Sequence, residues 1–274
     1  MPENLPSLTG EYLILNWFTL TYSSLLSLPP VRSFRSGLGN NSLAESTAIQ
    51  WDFNEGTGGS ANDSSGNNNT GTITGATWET TKAKCVSGYC LSFDGVNDSL
   101  ACTGNSSLNS KAFTVDFWIN PDQIAIKYLV SKQSSPGWRF FMSSTTLGKV
   151  ELDAYPGEIA NLQTDPSLVG KWKNVVGTYD GSSVVKIYDN GVLKNSATGI
   201  ATMYNDNDGS VVVSASPYDG FIDEVRIYNA AMPLSQIQQN YYSGLNRLIA
   251  SNAIDGLEYR EKLAELKYNI NELR

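Results

Sequence analysis

A chain of 274 residues with 41% hydrophobic and 11% aromatic residues can bury one full core with room for a small appendage. Its formal charge of −8 excludes a phosphate-neutralising nucleic-acid surface, and suits extracellular solubility and loop carboxylates that could hold calcium. The absence of histidine removes Ser-His-Asp and Cys-His catalysis and imidazole-held zinc or haem, and three cysteines are too few for a Cys-only zinc site.

Residues 1–46 stand apart. The run from Tyr12 to Leu26 is apolar but carries Asn16 and several hydroxyls, and it is short for a spanning helix. Glu3 and Glu11 occupy the place of a basic signal-peptide n-region. An export or anchoring segment of unusual form, an assembly element, a packed extra strand or helix, and a start placed too early all stay open.

From about residue 47, short β-branched and aromatic runs alternate with turn clusters at roughly ten-residue spacing, the pattern of a sandwich or barrel. The 24 glycines, with many Asn, Ser and Thr, supply the tight turns. A first strand reads at Ala48–Phe53, and the polar stretch Asp63–Gly71 is a loop. Further strands read at Gly71–Trp78, Cys90–Phe93, Phe113–Ile119, Tyr128–Lys132, Arg139–Ser143, Lys149–Ala154, Trp172–Tyr179, Val184–Tyr188, Val211–Ser214 and Gly220–Tyr228. Phe113, Val115, Phe117 and Ile119 alternate and should share one side of their strand. Asn190-Gly191 fits a type I′ hairpin turn. Trp51, Trp78, Trp118 and Trp172 lie in strand patterns and read as core or sheet-face packing. Cys85 and Cys90 could close a small loop across Gly88, or stay buried as thiols; Cys102 has no evident partner.

After Asn229 the period changes. Ile237, Tyr241, Leu245 and Leu248 mark one helix face. Asp255-Gly-Leu-Glu258 resembles a capping box, and Tyr259, Leu263, Leu266, Ile270 and Leu273 form a second stripe. This predicts a helical hairpin, folded back as a latch or used to associate with another chain.

The blocks Trp51-Asp-Phe-Asn-Glu-Gly-Thr-Gly58, Asp63-Ser-Ser-Gly-Asn67, Gly75-Ala-Thr-Trp78, Leu91-Ser-Phe-Asp-Gly-Val-Asn-Asp98, Phe113-Thr-Val-Asp-Phe-Trp-Ile-Asn-Pro121, Trp172-Lys-Asn-Val-Val-Gly-Thr-Tyr-Asp-Gly181, Ile187-Tyr-Asp-Asn-Gly191 and Gly220-Phe-Ile-Asp-Glu-Val-Arg-Ile-Tyr-Asn229 follow one another along the chain. Residues 48–242 thereby resemble the LamG-like jelly-roll family, of the laminin G/concanavalin A-like lectin-glucanase kind, found on bacterial and archaeal surfaces. The resemblance implies an all-β, two-sheet antiparallel jelly-roll sandwich over residues 47–230. The apolar N-terminal segment (1–46) would precede it and the C-terminal α-helical hairpin (231–274) would follow. It also implies a structural Ca2+ held by Asp223, the carbonyl of Gly88 and Asp52 or its neighbour; the plain alternative is that Asp223 caps a turn or binds Arg226 or backbone.

Glucanases of that fold bear two carboxylates on one strand. Here Glu151-Leu-Asp-Ala-Tyr155 puts Glu151, Asp153 and Tyr155 on one face but lacks the last carboxylate, and adjacent Asp223 and Glu224 should point to opposite faces. The chain therefore reads as no enzyme. Candidate glycan contacts are Trp138, Tyr155, Tyr204 and Tyr218, in or beside loops, with Asn205 and Asp206 nearby. The expectation is a noncatalytic extracellular or cell-surface module for adhesion or carbohydrate binding. Its partners would be a glycan or a surface protein, no nucleic acid, and a second copy through the N-terminal segment or the C-terminal helices. The alternative is a structural subunit of a surface filament, and a remote one a carboxylate glycosidase.

Overall fold

A computed structural model describes residues 46–104, 106–133, 137–143, 148–155, 162–167, 169–199 and 209–272. The expectations placed on residues 1–45 lie outside them. Sixteen strands occur among the described residues: β1 (Thr47–Trp51), β2 (Ser60–Ala61), β3 (Gly71–Thr74), β4 (Thr77–Glu79), β5 (Cys90–Asp94), β6 (Ser99–Cys102), β7 (Phe113–Pro121) and β8 (Lys127–Gln133) come first. They are followed by β9 (Gly137–Met142), β10 (Val150–Tyr155), β11 (Leu162–Gln163), β12 (Lys173–Tyr179), β13 (Val185–Asp189), β14 (Val192–Ala197), β15 (Ser210–Val213) and β16 (Asp219–Tyr228). Two helices close the chain, α1 (Leu234–Ala250) and α2 (Gly256–Glu272).

The strands form two antiparallel sheets. Sheet A runs β14-β13-β12-β7-β16-β5-β4, with β1 also on β16; sheet B runs β11-β10-β9-β8-β15-β6-β3-β2. Alternation decides which side chains lie between them: Phe113, Val115, Phe117 and Ile119 from β7 meet Trp138, Phe140 and Met142 from β9 and Val150 and Leu152 from β10 in one core. At Gly177 a Cβ would run into Phe140, so the sheets approach closely there.

Where one strand was expected at Gly71–Trp78 there are two, in different sheets. Gly75 adopts φ +78° and the chain crosses from sheet B to sheet A. At the β13–β14 hairpin Asn190 and Gly191 have φ 50° and 76°, the two positive values of a type I′ turn. The Asp63–Asn69 loop serves as an edge for β1. Its Asp63 carboxylate accepts the Gln50, Ser65 and Asn69 amides, and Ser64 N–H returns to the Gln50 carbonyl.

β16 is the organising strand. Its first half pairs with β5, its second half with β1, and β7 flanks both. The ladder with β7 slips by one residue between Asp223 and Arg226, and Glu224 has φ 54°. This bulge corrects the expectation that Asp223 and Glu224 face opposite ways. Glu224 binds Arg226 on the outer face and Arg247 of α1 (3.0 Å), while Asp223 also points outward, to the Cys85–Cys90 loop.

The hairpin folds onto that outer face. Ile237, Tyr241, Leu245 and Leu248 are buried, with Tyr241 stacked on Trp118 at 5.6 Å. Trp172, Leu266 and the Cys85–Cys90 loop join the same cluster. Asp255 caps α2 by accepting the Leu257 and Glu258 amides, each at 2.8 Å. The α1 stripe and Leu266 of α2 are thus spent within the chain, the latch arrangement, while the side chains of Ile270 and Leu273 lie outside the described ones. Beneath α1, Asp116 accepts Asn174 (2.7 Å) and Asn240 (3.2 Å) side-chain amides.

Two outcomes follow. A Cβ at Gly244 would run into the Trp118 ring. Gly to Ala within a helix ordinarily adds roughly 0.5–1 kcal/mol, whereas overpacking costs about 1–3 kcal/mol, so Gly244→Ala should lower the stability measured by urea unfolding. An unchanged or raised stability would show that the Trp118 ring yields. The second outcome concerns pH. Burial raises Asp116 above the usual carboxylate range against the pull of Arg226 and its amide partners, and burial raises Asp189 as well, against Lys173. The folded state then holds those protons more tightly than the unfolded one, so stability falls as pH rises through the folded values and is greatest near the unfolded value of about 4. Melting temperature should climb as pH is lowered toward about 4, less steeply in Asp116→Asn; a flat wild-type profile would contradict this.

Candidate functional site

Sheet A has its outer face closed by the hairpin, so the polar chemistry on the outer face of sheet B sets the candidate site. In β9, Trp138, Phe140 and Met142 enter the core, which turns Arg139 and Phe141 outward. In β10, Val150 and Leu152 enter the core and Glu151 and Asp153 face outward. In β8 the register slips between Tyr128 and Val130, and Tyr128 pairs with Phe141 on the outer side.

These side chains meet. Arg139 Nε and Nη2 donate to Asp153 Oδ2 at 3.3 and 3.0 Å, and Nη1 donates to the Tyr128 hydroxyl at 3.3 Å. The guanidinium lies 5.3 Å from the Tyr128 ring centroid and 5.6 Å from that of Phe141. The two rings meet edge to face at 6.3 Å. Gln163 of β11 donates to Glu151 Oε1 at 3.1 Å. Although they face away from the core, Glu151 and Asp153 are only 7% and 5% exposed. The arrangement offers an arginine fixed by ring contacts and a carboxylate, two aromatic surfaces, and a carboxylate–amide pair. Such a set can stack on an apolar ring face and exchange hydrogen bonds with hydroxyls.

The expected contacts fare differently. Trp138, 4% exposed, stacks on Phe113 in the core, because it occupies an inward position of β9 and not a loop. Tyr218 is fully buried against Phe93, preceding β16 and facing inward. Neither side chain lies on an outer sheet face. Tyr155 ends β10, its backbone paired with Gly137. Tyr204, Asn205 and Asp206 lie outside the described residues. Tyr128, Arg139 and Phe141, which carry the face, escaped the sequence reading. The signal for them was the alternation Trp138-Arg-Phe-Phe-Met142 itself, once Trp138 is placed inside.

Asp223, Gly88 and Asp52 were implied as calcium ligands. Calcium takes six to eight oxygens. Asp223 instead receives three amides: Val86 (2.9 Å) and Ser87 (3.2 Å) on Oδ2, and its neighbour Glu224 (2.8 Å) on Oδ1. Burial and the Glu224 carboxylate push Asp223 well above the usual carboxylate range, against those three N–H groups. Asp52 receives the Gln50 amide on both oxygens at 3.0 Å and Arg226 at 3.0 Å. Gly88, at φ +61°, packs on the Asn54 side chain. N–H donors surround both carboxylates, an arrangement that does not fit a cation shared between them. No group of three or more acidic or cysteine side chains suited to a metal occurs among the described residues.

The sulfurs of Cys85 and Cys90 are bonded, with Cα atoms 5.5 Å apart, under the α1–α2 turn; Ser251 Oγ donates to the Cys85 carbonyl at 3.2 Å. Cys102 is buried among core residues, and burial lifts its thiol to about 11, an unreactive small hydrophobe. No helix among the described residues is long and apolar enough to cross a membrane.

A family model described as the concanavalin A-like lectin/glucanases superfamily matches residues 94–238. No curated protein matches the chain. Among solved structures, domain 4 of AbnA, an extracellular GH43 arabinanase from Geobacillus stearothermophilus in complex with arabinotriose, aligns with a TM-score of 0.59 and 22% identity. The alignment covers 71% of this chain and 97% of that one. The binding domain of Paraclostridial Mosquitocidal Protein 1 aligns with a TM-score of 0.59 and 19% identity, over 74% and 53%. The receptor binding domain of botulinum neurotoxin D aligns with a TM-score of 0.56 and 16% identity, over 74% and 54%. The chain spans about half the length of these toxin domains. At such identities these likenesses carry the fold alone.

The Asp223 geometry sets a test. A calcium site at a hundredfold excess over its Kd would add about 2.7 kcal/mol, a rise on the order of 5–10 °C for a domain of this size. Calorimetry should instead show the same melting temperature with calcium and with chelator. Asp223→Ala should cost roughly 3 kcal/mol by orphaning buried amides. A calcium-dependent rise that Asp223→Ala abolishes would restore the metal site.

Proposed function

The chain belongs to the concanavalin A-like lectin/glucanases superfamily, and from that premise we propose that it is a noncatalytic carbohydrate-binding module acting outside the cell. The observation that carries the reading is the meeting of Tyr128, Arg139 and Phe141 with Glu151, Asp153 and Gln163 on the outer face of sheet B, away from the hairpin. Sugar rings present an apolar face and a rim of hydroxyls, and this group supplies aromatic surface and hydrogen-bonding groups together.

Catalysis is disfavoured by the same geometry. Glycoside hydrolysis needs two carboxyl groups flanking the bond, one of them able to carry a proton. Glu151 and Asp153 sit on one strand, on one side of any ligand lying over it, and Asp153 is engaged by the Arg139 fork. The Cys85–Cys90 bond supports an oxidising compartment. The arabinotriose complex of the arabinanase domain makes arabino-oligosaccharides a reasonable first probe.

A glycan array on the full chain, run with calcium and again with chelator, tests the reading. Specific saccharide hits that persist in chelator are expected. Phe141→Ala and Tyr128→Ala should each weaken the hits about tenfold or more, about 1.4 kcal/mol, with melting temperature little changed. An array without saccharide hits would sink the proposal and turn attention to a protein ligand.

A further inference from the structure

We infer that the C-terminal hairpin and the Cys85–Cys90 disulfide form a redox-sensitive latch: the docked hairpin keeps dithiol reductants off the disulfide, and reduction of the disulfide loosens the hairpin. The two halves are one linkage, and neither depends on what the domain binds. Both cysteines are fully buried, whereas the tip of their loop, Ser87, Gly88 and Tyr89, is only half-buried. The sulfurs are therefore covered from another side. Cys85 and Cys90 share one apolar cluster with Leu245 and Leu248 of α1, Ile254 of the turn and Leu266 of α2.

Reduction begins when a thiolate reaches one of the sulfurs, so a covered disulfide reacts at the rate at which its cover opens. The hairpin is the weaker of the two walls. β5, which begins at Cys90, is paired with both β4 and β16. Helix α2 is seated by partly exposed ion pairs, Glu258 with Lys171 (2.6 Å) and Glu265 with Lys194 (3.4 Å), contacts of the kind that contribute little. Leu266 is its one fully buried apolar side chain among the described ones.

The reverse coupling runs through the backbone of the loop. Ser251 Oγ donates to the Cys85 carbonyl at 3.2 Å, and Trp172 Nε1 to the Lys84 carbonyl at 3.1 Å. Lys262 of α2 in turn donates to the Trp172 carbonyl at 3.0 Å. A dithiol attacks one sulfur to give a mixed disulfide, and its second thiol then displaces the protein. The dithiol leaves as a disulfide, having given up two electrons, and Cys85 and Cys90 are left as two thiols with one proton each. Two unbonded sulfurs must move apart to van der Waals contact, which widens the six-residue loop. Each new thiol has an acceptor at hand, the Glu79 carbonyl 3.7 Å from Cys85 Sγ and the Lys84 carbonyl 4.0 Å from Cys90 Sγ. The second of these is the Trp172 partner, so the Cys90 thiol competes with the indole on which α2 rests.

The test has two arms on the full chain. In the first, dithiothreitol reduces the folded protein while iodoacetamide traps the thiols, and mass spectrometry follows the rate. Leu248→Ala weakens the cover over the sulfurs; Leu100→Ala makes a similar cavity between the sheets, away from the hairpin. Leu248→Ala should speed reduction about tenfold or more, and Leu100→Ala should leave it within about twofold. Ser251→Ala, which loses one hydrogen bond to the loop, should speed it about threefold and stands in if Leu248→Ala does not fold. Equal acceleration in the Leu248 and Leu100 variants would show that the disulfide reacts only through global unfolding, and no acceleration in any variant that the loop opens by itself; either overturns the latch. In the second arm, hydrogen exchange compares the oxidised chain with the chain held in dithiothreitol. Amides of α1 and α2 should exchange about tenfold faster on reduction while those of β7 and β12 hold. Unchanged exchange in the hairpin, or an equal rise throughout, overturns the coupling.

Discussion

At Glu224, in the middle of β16, the backbone takes φ 54° and the pairing with β7 slips by one residue. An extra residue in a ladder bends the strand and leaves one position unpaired. Here it sets two neighbouring carboxylates on the same outer face. Asp223 is satisfied by three amides, two of them from the Cys85–Cys90 loop, and Glu224 by Arg226 and Arg247. Removing one partner of a buried ion pair costs about 3–5 kcal/mol, so each of these groups constrains the others. The bulge therefore ties together β16, the disulfide loop and helix α1.

That tie explains why the hairpin sits where it does. Trp118, Trp172, Tyr188 and Tyr228 would form a large apolar patch on sheet A if they were left in water, and α1 and α2 bury them. Apolar burial drives the docking without specifying its angle. The polar pairs Asn240–Asp116 and Arg247–Glu224 and the stack of Tyr241 on Trp118 specify it, and Gly244 lets the helix close on the indole. With sheet A sealed, sheet B keeps the only broad sheet face, among the described residues, that the hairpin leaves uncovered. The two faces differ in composition accordingly, aromatic and densely paired on one, small hydroxyl residues beside a fixed arginine on the other.

How much of this was legible depended on how local its cause was. The alternation of Phe113–Ile119, the Asn190-Gly191 turn, the 3.6-residue stripe of α1 and the Asp255 cap are short-range patterns, and each stands in the structure where the chain placed it. The candidate site was only half legible. Glu151 and Asp153 were seen on one strand face, but their partners Arg139, Tyr128 and Phe141 were hidden by reading Trp138 as a loop aromatic. One residue of register moves every side chain of a strand to the other face, so a single misplaced tryptophan reverses the reading of β9. The run Gly71–Trp78 reads as one strand because nothing in it but Gly75 marks the change of sheet.

The amino-acid sequence by itself determined an all-β sandwich with a helical hairpin after it, and its lack of histidine removed the commonest catalytic chemistries. Those conclusions follow from periodicity, turn chemistry and composition, which act over a few residues. Tertiary structure alone decided that Asp223 meets amides, that Glu224 turns outward, that the α1 stripe is spent on sheet A, and that Arg139 meets Asp153 and Tyr128 on sheet B. Each of these depends on groups far apart in the chain, as Val86 and Asp223 are, and a buried charge or an unpaired face has its energy only once the whole fold has assembled around it.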